Sequence, residues 1–322
     1  MSQALSALCG LKNDARLIIA GDHLQMPPIT SIDPPSEAAY LVGSVQTYLL
    51  ERKFSRPVHR CVLETNYRSN EHSVVFARSI GYPSSLRAEY PDTALHLLRA
   101  LPVQPAYPAT LPWCAAFAEL LMPDHKIVTL LHEDEVSSQG NHFEARVVAG
   151  AVWMLRQSVS VALDGRGLVT HATPTPPKFW NQCVGIVTPH RAQRALVIRE
   201  LEQLFPGEKN FIDDAVDTVE RFQGGERHTI IVTFGVADTD VISGEEAFLM
   251  QLERTNVAVS RAMAKCLVVM PKALAIYIPE DKKALATAFA LKDYVEEFCN
   301  VRVNTTLSEV TQTRWAQVRY HQ

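Results

Sequence analysis

Five short segments of the sequence carry side chains that could bind a ligand. Two of them directly follow predicted strands. Gly21–Gln25 contains a carboxylate and an amide, and the pair Tyr67 and Arg68 offers an aromatic ring and a guanidinium. Ligands of open α/β sheets bind beyond the carboxyl ends of the strands. Both segments are therefore candidates for a binding site, although Asp22 and Gln25 could also simply close a turn.

The third segment joins a predicted strand to a predicted helix at Thr188, Pro189 and His190. The hydroxyl of Thr188 and the backbone N–H groups of the helix start can together hold a phosphate. A plainer interpretation is also open, because threonine followed by proline is an ordinary way to begin a helix.

The fourth segment surrounds a glycine pair, Gly224 and Gly225. Glycines let the backbone approach a ligand closely, and Thr218 and Glu226 flank the turn on its two sides. The alternative is a simple hairpin turn.

The fifth segment carries Arg254 and Arg261, which are seven residues apart and so share one face of a predicted helix. A guanidinium is always charged and donates paired hydrogen bonds, which suits the recognition of polyphosphates. A solvated helix face is the plainer alternative.

Composition excludes several classes of protein. The chain has 322 residues, of which 47% are hydrophobic and 20% charged, as is usual for folded globular proteins of about two domains. No apolar run reaches the roughly 18 residues that cross a bilayer, and the six cysteines lack metal-binding spacing. We therefore expect an intracellular protein with reduced thiols and no membrane partner. A net charge of −4 argues against a protein that is basic throughout, but a local basic groove is compatible with it.

Strands that alternate with helices must position these segments. Apolar runs predict strands at 16–20, 61–64, 126–131, 184–188, 215–219, 229–234 and 265–270. Helical spacing and capping residues predict helices at 36–50, 71–80, 144–159, 190–204 and 252–263. Residues 81–124 are predicted to be irregular. The alternation predicts an α/β fold in which helices cover both faces of a parallel sheet.

In their order and in their residues, the five segments resemble the later motifs of superfamily 1 helicases. The matching stretches are GDHLQMPP, NYRSN, VGIVTPHRAQ, VDTVERFQGGERHTIIVT and TNVAVSRA. They are similar to those of the 5′→3′ branch that includes the nonsense-mediated-decay helicase, and they extend over about residues 15–270. The resemblance implies two RecA-like domains of the P-loop NTPase type, with ATP and Mg²⁺ between them and single-stranded DNA or RNA as partner.

The resemblance also implies roles at the nucleotide. Gln25 would sense the γ-phosphate from the first domain, with Asp22 helping to place it. Arg68 would reach the γ-phosphate from the second domain, and Tyr67 would stack on adenine. Arg261 would act as the arginine finger, which stabilises charge on the transferred phosphoryl group.

Further roles are implied for the sugar and for the nucleic acid. Glu226 would bind the ribose hydroxyl. Thr188 and Thr218 would hold the backbone of a single strand, with Pro189 and His190 adjoining it. His190 stands where the family commonly has an aromatic residue such as tyrosine, so stacking there would be weaker.

Two of the family's motifs are absent. None of the 14 glycines is followed by lysine, so the sequence has no GxxxxGK[ST] phosphate loop. The 20 residues before GDHLQMPP also lack the Asp-Glu that holds Mg²⁺. We therefore expect the C-terminal part of a longer helicase, which needs a missing N-terminal RecA-like domain, contributes no metal ligand, holds no ATP tightly and does not hydrolyse ATP alone. The predicted organisation is a remnant of the first RecA-like domain at 1–60, the second at 61–275 and a tail of unknown role at 276–322.

One segment of the sequence imitates the absent magnesium motif. Strand 126–131 and the following His132–Glu135 look like a Walker B motif, but they come after NYRSN, so we predict a solvated acidic turn.

Two other functions stay open. The first is a catalytically inactive module that binds single strands or docks a partner protein. The second is an unrelated α/β enzyme whose Asp22, Glu133 and Asp134 bind a metal ion.

Overall fold

A computed structural model describes residues 9–12, 14–25, 44–46, 49, 59–102, 107–114, 116–160, 172–222, 225–280, 282–309 and 312–322. The chain divides into two compact units, Met1–Leu63 and Glu64–Gln322. Each unit is described by itself below.

The first unit does not form the predicted strand at 16–20. Leu17, Ile18 and Ile19 are 52%, 90% and 37% exposed, and the described residues of this unit offer no strand with which they could pair. An extended segment becomes a stable strand only when a neighbour completes its hydrogen-bond ladder and covers its apolar side chains. The helix expected at 36–50 lies largely outside the described residues.

In the described part of the second unit, eight strands form one mixed sheet. Their spatial order is β3 (Trp113–Cys114), β9 (Val301–Ser308), β10 (Thr313–Tyr320), β4 (Ile127–His132), β8 (Ala262–Pro271), β7 (Arg227–Thr233), β5 (Val184–Thr188) and β6 (Val216–Thr218). The strands from β4 to β6 are parallel, and β3, β9 and β10 are antiparallel. A separate two-stranded parallel ladder joins β1 (Thr65–Asn66) to β2 (Arg87–Ala88). The strand predicted at 61–64 is therefore wrong, since the ladder begins at Thr65.

Helices connect the parallel strands. Those that the structure describes are α1 (Glu71–Ser79), α2 (Phe117–Leu121), α3 (His142–Ser158), α4 (Pro176–Lys178), α5 (Arg191–Leu204), α6 (Lys209–Ala215), α7 (Thr239–Gly244), α8 (Glu246–Leu249), α9 (Leu252–Ser260), α10 (Lys272–Ile276) and α11 (Lys282–Asp293). Single π-helical turns follow α4, at Phe179–Cys183, and α11, at Tyr294–Phe298. In these ranges no helix has the length and apolar character needed to span a bilayer.

Both faces of the parallel sheet are buried. On β4, Val128 and Leu130 join the core beneath α3 and α5. Thr129 lies between them and points to the opposite face, where its hydroxyl contacts Tyr294 at 2.9 Å. All six residues of β4 are buried, and strands buried along both faces are typical of parallel sheets covered on both sides. The predicted fold class is confirmed: the unit is a mostly parallel α/β sheet flanked by helices, as in a RecA-like domain.

The C-terminal segment belongs to the same sheet. β10 pairs along β4, with Ala316 opposite His132 and Tyr320 opposite Val128. Residues 276–322, expected as a separate tail, are thus part of the second unit, and the boundary expected at 275 does not divide the structure. The region 81–124, expected to be irregular, contains β2, β3 and α2.

Candidate functional site

Arg68 and Glu226 meet in the second unit although 158 residues separate them in the chain. Arg68 Nε donates to Glu226 Oε2 at 2.6 Å, and Arg68 Nη1 donates to the carbonyl of Ser260 at 3.3 Å. Their side chains are 34% and 51% exposed. Exposed ion pairs contribute little to stability, so the main effect of this pair is to hold a guanidinium and a carboxylate at an open surface.

Tyr67 and Arg261 lie beside this pair along the chain. Tyr67 precedes Arg68 and is 65% exposed, so its ring is accessible for stacking. Arg261 follows Ser260 directly after α9, and its side chain is buried. The carbonyl of Arg261 accepts the N–H of Arg227 at 3.2 Å, which ties the end of α9 to the residue after Glu226. The structure therefore brings together four residues predicted to contact a nucleotide: Tyr67, Arg68, Glu226 and Arg261.

Two asparagines set the local geometry around Arg68. Asn66 Oδ1 accepts the N–H groups of Arg68 at 2.8 Å and Ser69 at 3.0 Å, which closes a tight turn. Asn70 caps α1, and its Nδ2 donates to the carbonyl of Ala264 on β8 at 2.9 Å. The helix predicted at 71–80 is confirmed, whereas the role of Asn66 was not predicted. The spacing of short polar side chains in Asn-Tyr-Arg-Ser-Asn was the signal for it.

The glycine turn is only partly described, since Gln223 and Gly224 lie outside the described residues. Gly225 donates its N–H to the carbonyl of Phe222 at 3.0 Å. A Cβ at position 225 would lie 3.3 Å from that carbonyl oxygen, so a larger residue would strain the turn just before Glu226.

The residues predicted to contact a single strand lie at one edge of the sheet. Thr188 ends β5 and Thr218 ends β6, and the two are register partners. Thr188, Pro189 and Thr218 are buried, while the side chain of His190 is 11% exposed. The four residues therefore lie where the neighbouring strands β5 and β6 end, but their side chains are largely covered.

Glu245, between α7 and α8, contacts His190. Its Oε2 lies 3.1 Å from His190 Nε2, and its Oε1 accepts from Gln139 Nε2 at 2.7 Å. The Phe248 ring also packs on the His190 ring, with centroids 5.5 Å apart. Burial lowers the pKa of His190 below its ordinary value, outweighing the opposite effect of the Glu245 carboxylate.

The side chain of Arg254 contacts other side chains of the protein. Its guanidinium donates to Glu220 and to Gln251, and it stacks 3.8 Å above the Phe248 ring. Although burial raises the pKa of Glu220, hydrogen bonds and the Arg254 charge hold it below its usual range. Because α9 ends at Ser260, the expectation that Arg254 and Arg261 lie within one helix is wrong.

In the first unit, Asp22 and Gln25 form a local turn. Gln25 Nε2 donates to Asp22 Oδ2 at 2.9 Å, and Leu24 N–H donates to Asp22 Oδ1 at 3.0 Å. The last three residues of GDHLQMPP, at positions 26–28, lie outside the described residues. The roles of Gln25 and Asp22 at a γ-phosphate stay predictions.

The segment His132–Glu135 is not the solvated acidic turn that was predicted. Glu133 and Glu135 are exposed, but His132 and Asp134 are buried. Asp134 accepts hydrogen bonds from Ser137 and Asn141, and these donors replace the water that the carboxylate loses. Throughout the described residues, no group of three or more His, Cys, Asp or Glu could hold a metal ion, so the metal-enzyme alternative gains no support.

Comparison with known proteins gives a family and several relatives. A family model described as AAA domain matches residues 45–273. The chain is 30% identical over 266 residues to the DNA-binding protein SMUBP-2 of Mesocricetus auratus, and 27% identical over 271 residues to an uncharacterized ATP-dependent helicase of Methanocaldococcus jannaschii. It is also 25% identical over 292 residues to the DNA replication ATP-dependent helicase/nuclease DNA2 of Saccharomyces cerevisiae.

These matches cover most of this chain but little of the relatives. They include 81%, 83% and 86% of the chain, which spans 23%, 34% and 17% of the three relatives. The likeness therefore concerns one part of much longer proteins.

Proposed function

The chain belongs to the AAA domain family, and on that premise we propose that it is the second RecA-like part of an ATP-dependent nucleic-acid helicase. Its ligands are ATP with Mg²⁺ and a single strand of DNA or RNA, and its place of action is inside the cell. The observation that carries this proposal is the meeting of Arg68, Glu226 and the end of α9 at one exposed surface.

The nucleotide contacts follow from the chemistry of that surface. Arg68 supplies an accessible guanidinium suited to a γ-phosphate. Arg261, whose side chain is buried here, would act as the arginine finger after a rearrangement that uncovers it. Tyr67 offers an exposed ring to adenine, and Glu226, beside Gly225, accepts a ribose hydroxyl. When Arg68 turns to a phosphate, its ion pair with Glu226 breaks. The carboxylate of Glu226 can then accept a hydrogen bond from the ribose hydroxyl.

Other parts of the enzyme must complete this site. The sequence lacks a GxxxxGK[ST] loop, and the described residues offer no cluster suited to Mg²⁺. We assign the phosphate loop and the magnesium carboxylates to a preceding RecA-like domain of the same protein, to which residues 1–60 with Asp22 and Gln25 would also belong. In the intact enzyme, ATP would close the two domains on each other, and hydrolysis would release them.

The strand contacts are assigned to the edge formed by Thr188, Pro189, His190 and Thr218. Thr188 and Thr218 are adjacent across β5 and β6, which suits contact with successive backbone groups of one strand. Because Glu245 and Phe248 contact His190, strand binding at His190 requires the segment that carries them to shift.

A titration with a fluorescent ATP analogue tests the nucleotide contacts. We expect weak binding by the 322-residue chain, lost in Arg68→Ala and in Arg261→Ala. Arg302→Ala is the matched control for Arg68→Ala, since Arg302 is also a partly exposed arginine with a carboxylate partner, Glu296 at 2.7 Å. Equal binding by Arg68→Ala and the unchanged chain would contradict the assignment.

The alternative is a catalytically inactive module that binds single strands. It is favoured by the absence of a phosphate loop from the sequence. Fluorescence anisotropy with a labelled oligonucleotide at about 50 and 200 mM salt separates the two proposals. Tight, strongly salt-dependent binding by the chain alone supports the module, whereas weak binding supports a half-site that needs its partner domain.

A further inference from the structure

Glu144 is a fully buried carboxylate in the first turn of α3. Its Oε2 accepts the N–H of Gly235 at 2.7 Å and the hydroxyl of Thr233, and its Oε1 accepts from His132 Nε2 at 2.9 Å. A carboxylate is buried at a large cost unless donors replace its water, and three donors do so here. The carboxylate thereby joins the start of α3 to the carboxyl ends of β4 and β7.

Gln193, in the first turn of α5, extends the same set of hydrogen bonds. It is fully buried; its Nε2 donates to Thr233 Oγ1 at 2.9 Å and its Oε1 accepts the N–H of Asn141 at 2.7 Å. Asn141 in turn caps α3 through the N–H of Glu144 and donates to Asp134. We call the connected set the Glu144 network, and its members are His132, Asp134, Asn141, Glu144, Gln193 and Thr233.

The directions of these bonds allow one arrangement. A carboxylate oxygen can only accept, so the Thr233 hydroxyl donates to Glu144 and is left to accept from Gln193. Packing restricts the site further, because Gly235 has a φ of 71° and a Cβ there would lie 2.8 Å from Gln193 Cδ. Gln193 is thus held by hydrogen bonds on both sides and by close backbone contact.

The network reaches His190 from two sides. Gln193 lies three residues after His190 and anchors the start of α5. The segment after Asp134 also holds the chain around Glu245: the Ser137 carbonyl accepts the N–H of Ala237 at 2.7 Å, and Gln139 donates to Glu245. His190 and its contact Glu245 are therefore both positioned from this network and its adjoining loop.

We propose that the Glu144 network positions the residues that contact the single nucleic-acid strand, Thr188 and His190. Glu144, Thr233 and Gln193 are its positioning residues. This inference rests on the proposed function, because it assigns the edge at Thr188 and His190 to a single strand. The network sets where the start of α5 lies, and so where the backbone N–H groups and the imidazole meet the strand.

The test compares conservative substitutions in the 322-residue chain. Thr233→Val keeps the shape but removes the hydroxyl, and Thr233→Ser restores it. Thr129→Val is the matched control, since Thr129 is also fully buried in the sheet but its hydroxyl contacts Tyr294, which is not a member of the Glu144 network. The readouts are oligonucleotide affinity by anisotropy, stability by urea unfolding, and amide hydrogen exchange of residues 189–196.

We expect Thr233→Val to weaken oligonucleotide binding about tenfold, as for one buried hydrogen bond to a charged group, and Thr233→Ser to stay within about twofold of the unchanged chain. Thr129→Val should lose comparable stability and keep its affinity. Exchange at 189–196 should rise in Thr233→Val only.

Three results would overturn the inference. These are unchanged exchange at 189–196 in Thr233→Val, unchanged affinity in that variant, or an equal loss of affinity in Thr129→Val. If the unchanged chain binds no oligonucleotide even at low salt, the assignment of the edge to a strand fails, and the exchange measurement still decides whether the network positions α5.

Discussion

Thr188 and Thr218 are register partners at the ends of the parallel strands β5 and β6, and both side chains are buried. Their neighbour His190 is covered by Glu245, whose carboxylate carries the same sign of charge as a nucleic-acid phosphate. Access to this edge therefore depends on an acidic residue of the same chain, and this leads to the first prediction.

Glu245→Gln should tighten the binding of a single-stranded oligonucleotide by a few-fold at low salt. The substitution keeps the size of the side chain but removes a negative charge that competes with phosphate for the same edge. Affinity is measured by fluorescence anisotropy. Glu246→Gln is the control, because Glu246 is next in sequence but accepts a hydrogen bond from Tyr277 at 3.0 Å. Equal tightening in both variants would show that only net charge matters.

The purified chain should not hydrolyse ATP, with or without an oligonucleotide. The sequence has no phosphate loop, and the transferred phosphoryl group needs the lysine of that loop and a bound Mg²⁺ as well as arginines. Release of inorganic phosphate is the measurement. Strand-stimulated turnover that Arg261→Ala abolishes would mean that the chain holds a complete site.

Lys265 should make stability depend on pH. It is fully buried at the start of β8, where its Nζ donates to the carbonyls of Met122, at 3.0 Å, and His125. Burial lowers its pKa from 10.5 to about 7. Between these two values the unfolded chain holds a proton that the folded chain releases, so folding becomes more favourable as the pH rises.

The comparison with Lys265→Met isolates this effect. From about pH 7.5 to 9.5, the free energy of unfolding of the unchanged chain should rise by about 2 kcal/mol relative to the variant. Urea unfolding at both pH values measures the difference. A constant difference would mean that Lys265 keeps its proton in the folded protein over this range.

Two ion pairs should differ in their contribution to stability. Glu226→Gln should change the free energy of unfolding by less than about 0.5 kcal/mol, since the Arg68–Glu226 pair is exposed. Glu220→Gln should cost about 1–2 kcal/mol, because its partner Arg254 is then left without its carboxylate in a site where the two side chains are only 14% and 24% exposed. Urea unfolding under identical conditions compares them, and a reversed order would refute the argument from burial.

Several elements of the fold were predicted because their signals are local. The apolar runs at β5, β7 and β8 lie within a few residues of the predicted positions, since strands buried on both faces carry continuous apolar sequence. The helices that follow β4 and β5 were also predicted, because one face of each carries apolar residues at helical spacing. β9 and β10 were missed, since their backbone order depends on pairing with each other and with β4.

Burial of polar residues could not be predicted in the same way. In the sequence, His132 and Asp134 follow a predicted strand and Glu144 begins a predicted helix, and none of the three carries a local signal of burial. Their burial is compatible with charge because Asn141 donates to Asp134, and because Thr233 and Gly235 donate to Glu144 from about 90 residues along the chain. Conversely, Leu17 and Ile18 read as core residues but are exposed in a segment that forms no strand.

By itself, the sequence determined the α/β class, the succession of the parallel strands β4 to β8 and the segments that we predict to bind ligands. These properties depend on apolar periodicity and on the residues that directly follow each strand. Only the tertiary structure decided that Arg68 meets Glu226 and Ser260, that Glu245 covers His190, and that Glu144 joins β4 to β7. Those contacts join residues that are far apart in the chain. Arg68 meets Glu226 and Ser260 just before β7 and β8 begin, whereas the contacts of His190 and Glu144 lie where β4, β5 and β7 end. They form because the folded sheet aligns the ends of parallel strands that are distant in the chain.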